Sequence, residues 1–222
     1  MRTKTLLLVA AVAAAGVATS MAQVYSVNAV GYVNTTIPKG AYAIISNPLT
    51  AATNTINALF PAIEGIQVYV YHPGKGYDVG AYDSLSGSYQ PDSVGTNTLT
   101  PGQGVFVRNG TASDQTITFV GEVPQGTLTT PLVAGLQIVS SKVPQAGTPD
   151  ALGFPTKAAT GAANGDQIYQ YVVSTQKYAV SSYDDLSDAF SPAPGSIGVG
   201  EAFFVKRSAA GSWTRTFNVN SP

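Results

Sequence analysis

Tyr69-Val70-Tyr71, Tyr77, Tyr82-Asp83-Ser84-Leu85-Ser86, Tyr89, Pro91, Gly102, Phe106-Val107 and Thr118-Phe119 form an ordered series in this chain. The series then returns as Tyr169-Gln170-Tyr171, Tyr178, Tyr183-Asp184-Asp185-Leu186-Ser187, Phe190, Pro192, Gly200, Phe204-Val205 and Thr216-Phe217. Self-similarity at a fixed period, here roughly 100 residues, marks a tandem repeat built from one supersecondary unit. A duplicated plan argues for architecture before chemistry, because a single asymmetric catalytic site would not be written twice.

Within each copy the apolar residues alternate with period two. Val68, Val70 and His72 point one way and Gln67, Tyr69 and Tyr71 the other, and Ile168-Tyr169 opens the matching run. Similar runs at 43–45, 104–107, 116–120, 136–140, 202–205 and 214–219 are rich in β-branched and aromatic residues, which predicts strands. Pro73-Gly74-Lys75-Gly76 and Pro101-Gly102-Gln103-Gly104 supply turns. Residues 53–60 and 149–154 each allow a turn or two of helix, and both end in Phe-Pro, which stops one. The expected fold is all-β: tandem or pseudo-symmetric antiparallel β-sandwich repeats with one short helix per repeat. The copies divide as 23–124 and 125–222. Val30-Gly31 and Val33 resemble Val120-Gly121 and Val123, so the strand 116–123 is expected to be shared between them.

Residues 1–22 read as a signal peptide. Arg2 and Lys4 precede an apolar run of small residues at 6–17, and Ser20-Met21-Ala22 offers a small-x-small cleavage site before Gln23. The run is shorter than the ~20 residues of a spanning helix, so the mature chain is expected to have no membrane span. It is placed outside the cytoplasm: secreted, at the cell surface, or in the periplasm. The full chain carries 11 Lys and Arg against 12 Asp and Glu, and losing the leader removes two of the bases and no acid. No basic cluster is present, which disfavours a nucleic-acid partner. With no cysteine at all, thiolate metal sites, cysteine nucleophiles and stabilising disulfides are excluded.

Gly40-Ala-Tyr-Ala-Ile-Ile-Ser-Asn-Pro-Leu49, Tyr69-Val-Tyr71 and Leu99-Thr-Pro-Gly-Gln-Gly-Val-Phe-Val107 resemble a repeat of secreted bacterial β-proteins. That repeat reads roughly G-W-N-L-I-S-x-P-L, then Y-x-Y, then L-x-P-G-x-G-Y-W-V. This chain lacks both tryptophans, and its second copy has Val199-Gly200-Glu201-Ala202 in place of the Pro-Gly turn. The resemblance implies an extracellular β-fold and carries over no catalytic residue, cofactor or metal.

The residues that could carry chemistry are few. The only histidine, His72, has Val172 as its counterpart, and no G-x-S-x-G elbow accompanies it. Asp83 and Asp184 stand in both Tyr-Asp-x-Leu-Ser segments, where turn capping is the ordinary role. Asp184, Asp185 and Asp188 form a weak calcium candidate, since calcium prefers several carboxylate or carbonyl oxygens; the first copy does not repeat their charge. Tyr77, Tyr82, Tyr89, Tyr178 and Tyr183 are the ligand-binding candidates, as flat rings with a polar tip suit stacking on sugars. The same rings could equally fill the core between sheets. The expected function is a non-catalytic structural, adhesive or matrix-forming role, with glycans or surface components as partners. A carbohydrate-binding module is the alternative. A third reading is a filament subunit that self-associates by strand addition through residues 24–33, which begin at Val24 and end at Val33.

Overall fold

The computed structural model describes residues 29–219. The leader, its cleavage site and the first part of the 24–33 segment lie outside the described residues. The first copy contains β1 (Val30–Ile37), β2 (Tyr42–Ile45), α1 (Ile56–Leu59), β3 (Ile66–His72), β4 (Gly76–Asp83), β5 (Ser88–Gln90), α2 (Asp92–Gly95), β6 (Val105–Asn109) and β7 (Gln115–Glu122). The second contains β8 (Gly126–Leu132), β9 (Gly135–Val139), a 3₁₀ turn (Ala158–Thr160), β10 (Gln167–Val172), β11 (Lys177–Asp184), β12 (Ala189–Ser191), β13 (Phe203–Arg207) and β14 (Gly211–Phe217). The fold is all-β and antiparallel.

Each copy has the same two-layer plan. A five-stranded sheet, β2-β6-β3-β4-β5 in the first copy and β9-β13-β10-β11-β12 in the second, faces a two-stranded ribbon, β1-β7 or β8-β14. Alternation sets the packing. In β1 every fourth residue turns inward, so Val33 and Ile37 meet Ile117 and Phe119 of β7 and the inner face Ala43, Ile45, Val68, Val105 and Val107. The second core gathers Leu132, Val139, Ile168, Phe190, Phe203, Val205 and Trp213. Phe154 meets Trp213 edge-on at 5.3 Å, as Phe60 meets Phe119 at 6.3 Å.

Three expectations need correction. Among the described residues helix is not shared out one per copy: both α-helices, single turns, lie in the first copy, and residues 149–154 close as hydrogen-bonded turns instead. A turn held by Leu152 N to Thr148 O and Phe154 N to Pro149 O is too short, before Pro155, to propagate. Strand 116–123 is not shared. β7 pairs with β1 from Val30↔Glu122 to Ile37↔Gln115, and β14 pairs with β8 from Gly211↔Leu132 to Phe217↔Gly126. The described part of the 24–33 segment is therefore already closed within its own copy. Finally, the ladders equate Ile117 with Trp213 rather than Phe119 with Phe217, because the β6–β7 connection spans 110–114 and the β13–β14 connection only 208–210. The two-residue deletion shifts the apparent sequence match off the structural one.

One buried polar pair distinguishes the copies. Where β3 and β6 align Ile66 with Asn109, the second copy has Asp166 and Arg207. Asp166 Oδ2 lies 3.1 Å from Arg207 Nη1 with both side chains almost wholly buried. Asp166 also accepts from Ser208 N (2.7 Å), Ser208 Oγ (2.8 Å) and Ala163 N (3.1 Å), and Arg207 donates to the Gly161 carbonyl.

Candidate aromatic cleft at the copy junction

The outward faces of the two five-stranded sheets meet, and the contact is reciprocal. Ser46 N donates to Gly200 O at 2.8 Å, and Ser140 N donates to Gly102 O at 3.1 Å. Ser46 Oγ reaches Glu201 O at 3.2 Å, and Ser140 Oγ reaches Gln103 O at 3.1 Å. Isolated bridges join Ile45 to Glu201 and Gln103 to Val139. Each copy thus gives its neighbour the same turn and receives the same edge strand, as in an isologous contact. The exchange also covers the C-terminal ends of the free edges of β2 and β9.

Gly102 and Gly200 are required by this exchange. Both sit at positive φ, +97° and +81°, which suits glycine. A Cβ on Gly200 would lie 2.6 Å from Thr35 Oγ1, and one on Gly102 would lie 2.7 Å from Thr130 Oγ1 of the other copy.

Aromatic rings fill the junction. Tyr71 packs edge-on against Phe204 at 5.3 Å, and Tyr171 packs against Phe106 at 5.0 Å. Tyr71 meets Tyr77 at 5.2 Å and Tyr171 meets Tyr178 at 5.1 Å. Tyr77 and Tyr178, one from each copy, flank Phe204 at 6.4 and 6.3 Å. Around them opens a cavity of about 490 Å³ lined by Tyr77, Leu136, Tyr169, Tyr178, Phe204 and Lys206. Tyr77 is 44 % exposed and Tyr178 43 %. Partial burial, reinforced by Tyr178 and Tyr71, pushes the Tyr77 hydroxyl up to about 12. Burial also raises Tyr178. Both hydroxyls are protonated at neutral pH and can donate.

The structure therefore divides the tyrosine candidates. Tyr77 and Tyr178 come together at the cleft, whereas the other three belong to cores. Tyr89 is 1 % exposed and donates to Pro61 O at 2.9 Å. Tyr183 is 7 % exposed and donates to Asp188 Oδ1 at 2.6 Å. Tyr82 packs against the first core, 5.7 Å from Tyr89. Leu136, Tyr169, Phe204 and Lys206 were missed by reading the sequence. The signal was present in β10 and β13, where large rings occupy the face opposite the core.

The carboxylates are spent locally. Asp83 Oδ1 accepts from Leu85 N at 3.0 Å and Asp184 Oδ1 from Leu186 N at 3.1 Å, the turn capping expected of the repeated Asp. Asp185 accepts from Asn164 Nδ2 at 2.6 Å, and Asp188 from Ala158 N at 2.7 Å. The Ala158 amide and then Tyr183 hold Asp188 below the usual carboxylate range. Among the described residues no group of three or more His, Cys, Asp or Glu is placed to hold a metal ion. His72 Nε2 lies 3.0 Å from Asp78 Oδ2 at the surface. No helix of the described residues is long and apolar enough to cross a membrane.

Comparison of the chain with protein-family models, with curated proteins and with solved structures finds no match in any of the three.

Proposed function

We propose that this chain is an exported, non-catalytic adhesive protein that binds carbohydrate in the cleft between its two copies. The observation that carries the reading is the meeting of Tyr77 and Tyr178 across the junction, half-exposed, beside Tyr169 and Phe204. The flat C–H face of a sugar ring stacks on such rings, while its hydroxyl edge hydrogen-bonds to their polar tips. The leader-like residues 1–22 support export, and mass spectrometry of secreted material should find Gln23 at the N-terminus. Use of the Asp side chains in turn capping supports a binding role over an enzymatic one. The test is calorimetric titration with neutral and acidic oligosaccharides against the wild type and Tyr77→Ala/Tyr178→Ala. Binding should be lost in the variant while the thermal melt stays cooperative. Unchanged binding in the variant, or none in the wild type, would sink the reading.

A further inference from the structure

The two copies share one plan, yet they do not offer the same cleft. The position of Leu136 on β9, beside Lys206 of β13, is held on β2 by Tyr42, beside Arg108 of β6. Tyr42 fills its side of the junction: its ring lies 5.4 Å from Phe106 and 6.1 Å from Tyr69. The Arg108 guanidinium lies over the Tyr42 ring at 5.7 Å and donates to Gln67 Oε1 at 3.3 Å. Gln176, from the longer β10–β11 hairpin, ties down the same residue, accepting from Tyr42 N at 2.7 Å and donating to Tyr42 O at 3.1 Å.

On the other side the ring and the guanidinium are replaced. Leu136 has no ring to fill the space, and the cavity stands there. Gln167, the counterpart of Gln67, keeps the bond from the tyrosine two residues on (Tyr169 Oη at 2.6 Å, as Tyr69 Oη to Gln67 at 3.2 Å) and donates to Ser182 Oγ at 3.1 Å, where Gln67 also accepts from Arg108. Lys206 is left exposed at the rim, without an ion-pair partner among the described residues. No carboxylate lines the cavity. The cleft is therefore apolar, aromatic and open on one side, with a single cation whose counter-charge the protein does not supply.

We infer that the molecule has one sugar subsite, on the second copy's side, selective for an acidic sugar whose ring stacks on Tyr77 and Tyr178 and whose carboxylate pairs with Lys206. This rests on the carbohydrate reading above and adds the ligand class. Lysine suits the role, since its ammonium is a mobile point charge on a flexible stem.

The experiment is calorimetric titration of the full mature chain with oligomers of galacturonic acid and of galactose, at low and at high salt. The wild type should bind the uronate more tightly, and Lys206→Gln should weaken uronate binding about threefold to fivefold while leaving the neutral oligomer unaffected. High salt should erase the preference in the wild type. Leu136→Tyr should block both ligands by rebuilding the filled side. Lys206→Gln alters an exposed side chain and keeps the test valid should Leu136→Tyr fail to fold. Equal binding of both oligomers by the wild type, or a uronate preference that survives Lys206→Gln, overturns this inference and leaves the carbohydrate reading standing. Binding of neither oligomer overturns both.

Discussion

Replacing Asp166 with alanine isolates what the buried pair in the second copy does. Arg207 would remain with its side chain 3 % exposed and its carboxylate partner gone, and the donors Ser208 N, Ser208 Oγ and Ala163 N would lose their acceptor. Breaking a buried pair by removing one member costs about 3–5 kcal/mol, because an uncompensated charge is left in a medium that solvates it poorly. For a chain of this size each kcal/mol moves Tm by about 2–4 °C, so Asp166→Ala should lower Tm by about 6–20 °C. The double variant Asp166→Ile/Arg207→Leu removes both charges and restores apolar volume. It should recover most of the loss, since well-packed apolar replacement of such a pair is often neutral or better. Urea unfolding of wild type, both singles and the double closes the cycle, and the coupling between the sites should exceed about 0.5 kcal/mol. A loss below about 1 kcal/mol for Asp166→Ala would mean that Arg207 is not left as an uncompensated buried charge, as would a double variant no better than the sum of the singles.

Gly200→Ala should cost more than the roughly 1–3 kcal/mol of left-handed backbone, since its Cβ also meets Thr35. Gly126→Ala, at φ +85° with open space around it, should cost only the backbone share; equal urea midpoints for the two would contradict the interlocked junction. Tyr89→Ala should destabilise by about 3–5 kcal/mol as a core aromatic, whereas Tyr178→Ala should cost clearly less in the same melt. The raised Tyr77 contributes stability that is fully present below its ordinary value of 10.0 and is lost as pH rises to about 12. Several tyrosines titrate late, Tyr89 and Tyr178 among them, so Tyr77→Phe should reduce the late phenolate absorbance step by one tyrosine's share, and an undiminished step would assign the shift elsewhere.

Much of the fold is written in local pattern. Alternation of small windows specifies strands because side chains leave a strand on opposite faces with period two, and Val68 against Tyr69 shows both faces at once. The Asp83 and Asp184 caps are legible because an Asx turn closes within two residues of chain. The same motif shows where local reading stops. Of the repeated Tyr-Asp-x-Leu-Ser segment, Tyr183 is buried while Leu85 and Leu186 stand 97 % and 95 % exposed; nothing in the structure explains those leucines.

The pairing of strands, and hence the end of the expected shared strand, needed three dimensions. A strand's partner is chosen by register and closure along a ladder, and Val30-Gly31 and Val120-Gly121, alike in sequence, turn out to be antiparallel partners, Gly31 opposite Gly121, rather than equivalent strands. The sorting of tyrosines was likewise invisible in one dimension. Tyr77 and Tyr89 are alike in sequence, but one lies on a sheet's outer face against the second copy and the other inside the first core. The alternating pattern, written twice, determined an all-β fold. Only the reciprocal packing of the two copies decided which face carries the aromatic cleft, because the free energy of burying an aromatic depends on what covers it, and here the cover comes from the other copy.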